Sequence, residues 1–169
     1  MEISSVYLAQ AIDRHNAKDD RIVSCVRDSL KAMGVVVFDP GRAYAFDMKV
    51  TNNSTLDYGS KQVHYIQSTN LNALTHADLR VFIDAGSPSW GLPLEMKKCA
   101  DNWLPFVYLD FNDSDVTPAY LVLLLDDSKA ILGGHPDMDY FINKLLENMP
   151  PELLEDLRVW STPFNWRSK

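Results

Sequence analysis

Glu95 stands where an amphipathic helix would place an apolar residue. Between Gly91 and Asp101 the residues Leu92, Met96 and Cys99 recur at helical spacing, and Glu95 falls on the same stripe. A carboxylate on an apolar face has to be paired, used as a cap, or used for chemistry. A capping box would need Ser, Thr, Asp or Asn three residues earlier, where the chain has Leu92. An ion pair with Lys97 or Lys98 stays open as the structural alternative. A second polar residue, Asn70, lies midway between Ile66 and Leu74 on the buried stripe of the preceding helix. A hydrogen-bonded core amide is the ordinary role of such a residue. Between the two, Ser87, Ser89 and Gly91 precede a helix start, where backbone N–H groups and the helix dipole favour an anion such as phosphate. Many turns without a ligand have the same composition.

Other chemistries find little support. The four histidines, His15, His64, His76 and His135, lack paired ligand spacing, and the two cysteines are far apart, so no metal site is expected. There is neither a Gly-x-Ser-x-Gly elbow nor a Walker-type phosphate loop. A formal charge of −7 argues against a surface for polymeric nucleic acid and points to a small-molecule partner. Cys25 and Cys99 read as buried, reduced thiols, which makes the cytoplasm the expected compartment. The longest aliphatic run, Leu121 to Leu125, is too short to cross a bilayer, and a signal peptide is not expected.

The elements that must position these residues alternate between strand and helix. Ile3 to Ala9 reads as a buried strand, Lys18 to Met33 as an amphipathic helix closed by Gly34, and Val35 to Phe38 as a second strand ended by Asp39, Pro40 and Gly41. Gly41 to Gly59 has no sustained period and reads as a long loop. Ser60 to Ala77 is a helix, Leu79 to Ala85 a strand, Gly91 to Asp101 a helix and Pro105 to Asp110 a strand. Thr117 and Pro118 form a cap-plus-first-turn signal; Tyr120 to Leu125 fits helix or strand by periodicity, with a short helix preferred, a strand follows near Lys129 to Leu132, and Asp137 to Asn148 and Glu152 to Leu157 are helices. A loose aromatic tail holds Trp160, Phe164 and Trp166. The expected architecture is one α/β domain spanning residues 1–169, a doubly wound parallel sheet of about five strands. Such sheets bind ligands at the carboxyl ends of their strands, here just after Ala9, Phe38 and Ala85.

In this order, Val6-Tyr7-Leu8-Ala9, Phe38-Asp39-Pro40, Asn70-Leu71-Asn72-Ala73-Leu74 with Ala77-Asp78, and Pro88-Ser89-Trp90-Gly91-Leu92-Pro93-Leu94-Glu95 with Ala100 resemble the nucleoside 2-deoxyribosyltransferase family and its relatives that hydrolyse nucleoside 5′-monophosphates. The likeness runs from about Ser4 to Leu109, and the Gly-x-x-x-Glu turn is its most specific part. The resemblance implies a Rossmann/flavodoxin-like fold, no cofactor, and a homo-oligomer of at least two subunits. It implies that Glu95 attacks C1′ of the sugar to form a covalent glycosyl-enzyme, which another base or water then resolves, and that Tyr7 orients the nucleophile. Asn70 stands where the transferases usually carry an Asp, and it can hydrogen-bond but not exchange a proton. Ser89 stands where some transferases carry an Asp, as in the monophosphate hydrolases, whose matching Ser binds the 5′-phosphate. Ser87, Ser89, Gly91 and Asp39 are the expected substrate contacts, with Trp90 and Phe46 as base-stacking candidates or, equally, core or lid aromatics. A deoxyribosyl transferase is the leading expectation, a monophosphate N-glycoside hydrolase the next, and a non-catalytic nucleotide-binding module the third.

Overall fold

A computed structural model describes residues 3–11, 17–40, 60–87, 91–112, 137–155, 157–162 and 165–167, with backbone alone for 60–67 and 165–167. Strand β1 (Ser5–Ala9) leads into helix α1 (Ala17–Ala32) and strand β2 (Val36–Phe38). Helix α2 (Ser60–His76), strand β3 (Leu79–Asp84), helix α3 (Gly91–Asp101) and strand β4 (Phe106–Asp110) follow. Helix α4 (Met138–Glu147), a 3-10 turn (Pro151–Leu153) and strands β5 (Arg158–Ser161) and β6 (Asn165–Arg167) complete the described chain.

The strands form one sheet in the order β2-β1-β3-β4-β5-β6. The first four are parallel, whereas β5 runs antiparallel to β4 and β6 antiparallel to β5. The α/β class is therefore as expected, with six strands in a mixed sheet. Alternating side chains build a separate core on each face. On one, Val6 and Leu8 meet Ile22, Val26 and Leu30 of α1 and Phe141, Ile142 and Leu145 of α4. On the other, Tyr7, Phe82 and Tyr108 meet Leu74 of α2 and Leu92, Met96 and Cys99 of α3. Helices on both faces make the sheet doubly wound, and the order reverses between β1 and β3.

Local chemistry sets the helix ends. Gly34 closes α1 with φ +81°, a conformation that costs an L side chain but not glycine, and its N–H donates to the Lys31 carbonyl at 2.9 Å. Helix α3 ends the same way on a residue less suited to it: Trp103 holds φ 57° while the Leu104 N–H reaches back to the Cys99 carbonyl at 2.9 Å. Helix α2 is closed by Arg80, a β3 residue only 2% exposed, whose guanidinium donates to the Leu74 and Thr75 carbonyls at 2.6 and 2.7 Å. At the amino end of β1, Asp78 Oδ2 accepts the backbone N–H groups and hydroxyls of Ser4 and Ser5 at 2.7–2.9 Å.

The C-terminal reading needs correction. Glu152 to Leu157 is not a helix: the paired prolines Pro150 and Pro151 start a single 3-10 turn, and the chain then enters β5. Trp160 and Trp166 do not sit in a loose tail: Arg158–Ser161 pairs along β4, burying Trp160 to 7% exposure, and Asn165–Arg167 pairs along β5, while Phe164 lies outside the described residues. The Gly41 to Gly59 loop, the helix from Thr117 and the strand near Lys129 lie outside the described residues. Among the described residues no helix is long and apolar enough to cross a membrane.

Candidate active site

Tyr7 is the third residue of β1, with Phe38 and Arg80 beside it in register on the flanking strands. Strand alternation turns its ring onto the face covered by α2 and α3, where it is wholly buried and stacks on Phe38 at 5.9 Å and 15°. A buried phenol needs a hydrogen-bond partner. Its hydroxyl donates to Glu95 Oε1 at 2.8 Å, across 88 residues of sequence.

Glu95 reaches that position because α3 sets its apolar stripe on the sheet through Leu92, Met96 and Cys99, all at most 3% exposed. A residue on that stripe one turn from the helix start must point at β1. The ion-pair alternative does not describe it, since Lys97 instead bonds Asp101 at 2.9 Å along the helix surface. Burial raises the Glu95 carboxyl from its ordinary value to about 7, and the Tyr7 hydroxyl acts the other way by favouring the anion. Of these two opposing effects, loss of water is the larger. At neutral pH the group therefore exists in both forms, able to give or take a proton, or to attack as an anion.

The remaining expected residues divide into three groups. Asn70 lies half-buried on α2, one turn before fully buried Leu74, on the helix that shares the Tyr7 face of the sheet. Asp39 and Ser87 lie at the carboxyl edge but are held by protein partners. Asp39 receives Gln10 Nε2 at 2.7 Å and Arg27 Nη1 at 3.1 Å, and Ser87 donates its hydroxyl to Asp19 in the first turn of α1. Gly91 starts α3 and is exposed. Ser89, Trp90 and Phe46 lie outside the described residues.

Sequence reading missed the groups that brace this edge: Asp19, Asp84, Tyr108, and the Asp110–Arg158 pair at 2.5 Å. Burial holds the Asp110 carboxyl above its usual range despite that pair. The one available signal was the position of Asp84 and Asp110 at the ends of two apolar strands, where turn residues are common enough to pass as punctuation. Among the described residues no group of three potential ligands could hold a metal ion. A cleft of about 640 Å³ between α1 and α4, lined by Ile3, Met33, Tyr140 and Lys144, opens at the amino ends of the strands, away from Glu95. No protein-family model matches this chain, and no curated protein matches it either.

Proposed function

We propose that this protein is a nucleoside 2-deoxyribosyltransferase-like enzyme that cleaves the N-glycosidic bond of (deoxy)nucleosides or their 5′-monophosphates, with Glu95 as nucleophile. The observation that carries this reading is the Tyr7–Glu95 hydrogen bond of 2.8 Å at the point where the strand order reverses. It joins two residues of the family resemblance that are distant in sequence, a contact that the proposed roles of nucleophile and orienting group would need.

In the first step an ionised Glu95 oxygen attacks C1′ while the C1′–N bond breaks, and the bonding pair leaves with the base, which takes up a proton. Tyr7 holds the carboxylate and favours its charged form by donating to it. In the second step a nitrogen of an incoming base, or a water oxygen, attacks C1′, loses its proton and returns the Glu95 carboxylate. Asn70 can bind a base edge but exchanges no proton, so protonation of the leaving base falls to another group or to solvent. No cofactor enters the scheme, and the product is a new nucleoside or free sugar from a nucleoside, and a new nucleotide or sugar phosphate from a monophosphate. An assembly of two or more subunits in the cytoplasm is part of the same proposal.

Incubating the protein with a deoxynucleoside or its monophosphate, with and without a second free base, tests the reading by chromatography. Transfer gives a new nucleoside only when the second base is present, and Glu95→Gln abolishes it. Hydrolysis of a nucleoside 5′-monophosphate is the second reading, favoured by Ser89 in the sequence. It gives sugar phosphate whether or not a base is added. Wild-type turnover that survives in Glu95→Gln would sink the assignment of Glu95. Binding of nucleotide without turnover by the wild-type protein would leave the non-catalytic module.

A further inference from the structure

The carboxyl ends of β3 and β4 carry a second polar constellation, on the same face of the sheet as Tyr7. Tyr108, fully buried on β4, donates its hydroxyl to Asp84 Oδ2 at 2.6 Å. Asp84 is the last residue of β3, and its other oxygen accepts the Gly86 N–H at 2.9 Å. That bond closes a turn over Asp84, Ala85 and Gly86 and gives the chain its direction as it leaves the sheet. Gly86 has φ +99°, and a Cβ there would lie 3.6 Å from the Asn112 side chain, so the turn is fitted against the neighbouring strand end. That strand end is built alike. Asp110, beside Asp84 in register, accepts the Asn112 N–H at 2.9 Å and binds Arg158 at 2.5 Å. One residue beyond Gly86, the Ser87 hydroxyl is bound to Asp19 of α1.

A strand-end Asp needs no phenol to close such a turn. The Tyr108 hydroxyl, carried on a fully buried ring, holds the carboxylate oxygen that the Gly86 N–H does not. Helix α3 is the next described element after this exit, and Glu95 is its fifth residue. We propose that Tyr108, acting through Asp84, is a positioning residue for Glu95: a phenol, carboxylate and amide in series fix the exit of β3 and so the approach of helix α3 to Tyr7. The proposal rests on the reading of Glu95 as the reacting group. A displacement of about 1 Å at a reacting atom can cost on the order of a hundredfold in rate, so a modest loosening of this exit is measurable.

Tyr108→Phe keeps the ring in the core and removes only the donor, and Asp84→Ala removes the middle of the series. Tyr108→Phe is expected to lower kcat about tenfold with KM within about twofold, as expected of misplacement rather than lost binding. The Tyr108→Phe/Asp84→Ala double variant should lose no more than Asp84→Ala alone, because both act through one series. Independently of activity, amide exchange at Gly86 should quicken about tenfold in Tyr108→Phe while Met96 and Cys99 in α3 keep wild-type exchange. Unchanged Gly86 exchange overturns the proposal, as does full additivity in the double variant. Wild-type turnover with an unaltered kcat in Tyr108→Phe overturns the positioning role alone. No turnover by the wild-type protein overturns the glycosidic reading, and with it the catalytic consequence claimed for this series. Should Tyr108→Phe fail to fold, Asp84→Asn, which keeps an acceptor for Gly86 but weakens the bond from the phenol, is read by the same two measurements.

Discussion

The attack on carbon proposed for Glu95 needs an ionised carboxylate, and burial works against ionisation. With its acid constant raised to about 7, the free protein holds Glu95 as the anion that the proposed attack requires only as pH rises through neutrality. kcat/KM should therefore climb with pH to a plateau above about 7. Tyr7→Phe removes the one described donor that favours the anion, so the midpoint of that climb should move alkaline by about one pH unit, roughly the worth of a hydrogen bond to a charged group. The same burial has a cost in stability. Because the folded-state value lies above the ordinary 4.5, the native state holds more protons than the unfolded chain between those pH values. Stability contributed at this site consequently falls as pH rises from about 4.5 to about 7, by on the order of 3 kcal/mol in all. Glu95→Gln keeps an acceptor for Tyr7 without the charge. It should stabilise the protein against denaturant at pH 8 by up to that amount and much less at pH 5, while abolishing turnover. Equal effects at both pH values would show that Glu95 is not buried as described.

Elements differ in how openly their sequences declare them. Helix α3 was legible in full, since Leu92, Met96 and Cys99 mark its buried face and the observed bounds are Gly91–Asp101. Strand β3 was legible as an apolar run, but Arg80 within it was not legible as a helix cap. Its partners are the Leu74 and Thr75 carbonyls, supplied by a turn whose geometry periodicity does not encode. The C-terminal strands were missed for a related reason: a four-residue strand whose partner lies about fifty residues away has no local period to display. At the site, the inward-facing Glu95 could be found from its own helix, whereas Asp84 and Tyr108 acquire meaning only through each other. Trp103 was equally silent, because nothing in its neighbours announces a left-handed backbone. Glycine is the usual residue at that helix end, so Trp103→Gly should raise stability by about 0.5–1 kcal/mol in chemical denaturation, once the greater freedom of glycine in the unfolded chain is set against the relieved backbone. A loss instead would mean that the 46%-exposed indole packs more usefully than its exposure suggests.

Across the whole molecule, the sheet is assembled from strands far apart in the chain. β1 is inserted between β2 and β3, and its amino end is tied to Asp78 through Ser4 and Ser5. Those bonds lower the Asp78 carboxyl from 3.8 to about 2, so their contribution is present above the unfolded value and is lost as pH falls from about 4 towards 2. Asp78→Ala should cost about 1–2 kcal/mol at pH 7, reduced from the full value of charged hydrogen bonds by the water at this half-buried position, and should cost nothing further once the wild type is acidified below pH 2.

The last strands bear on how the chain must be made. β4 is completely buried along Phe106–Asp110, and its outer backbone edge is satisfied by β5, with the Thr162 N–H bound to the Phe106 carbonyl at 3.1 Å just beyond. Until Arg158 to Thr162 have left the ribosome, that edge is a bare template for pairing with any neighbouring nascent chain, and Asp110 has no cation. A frameshift or nick ahead of Arg158 would thus yield an aggregating product rather than a trimmed but folded chain.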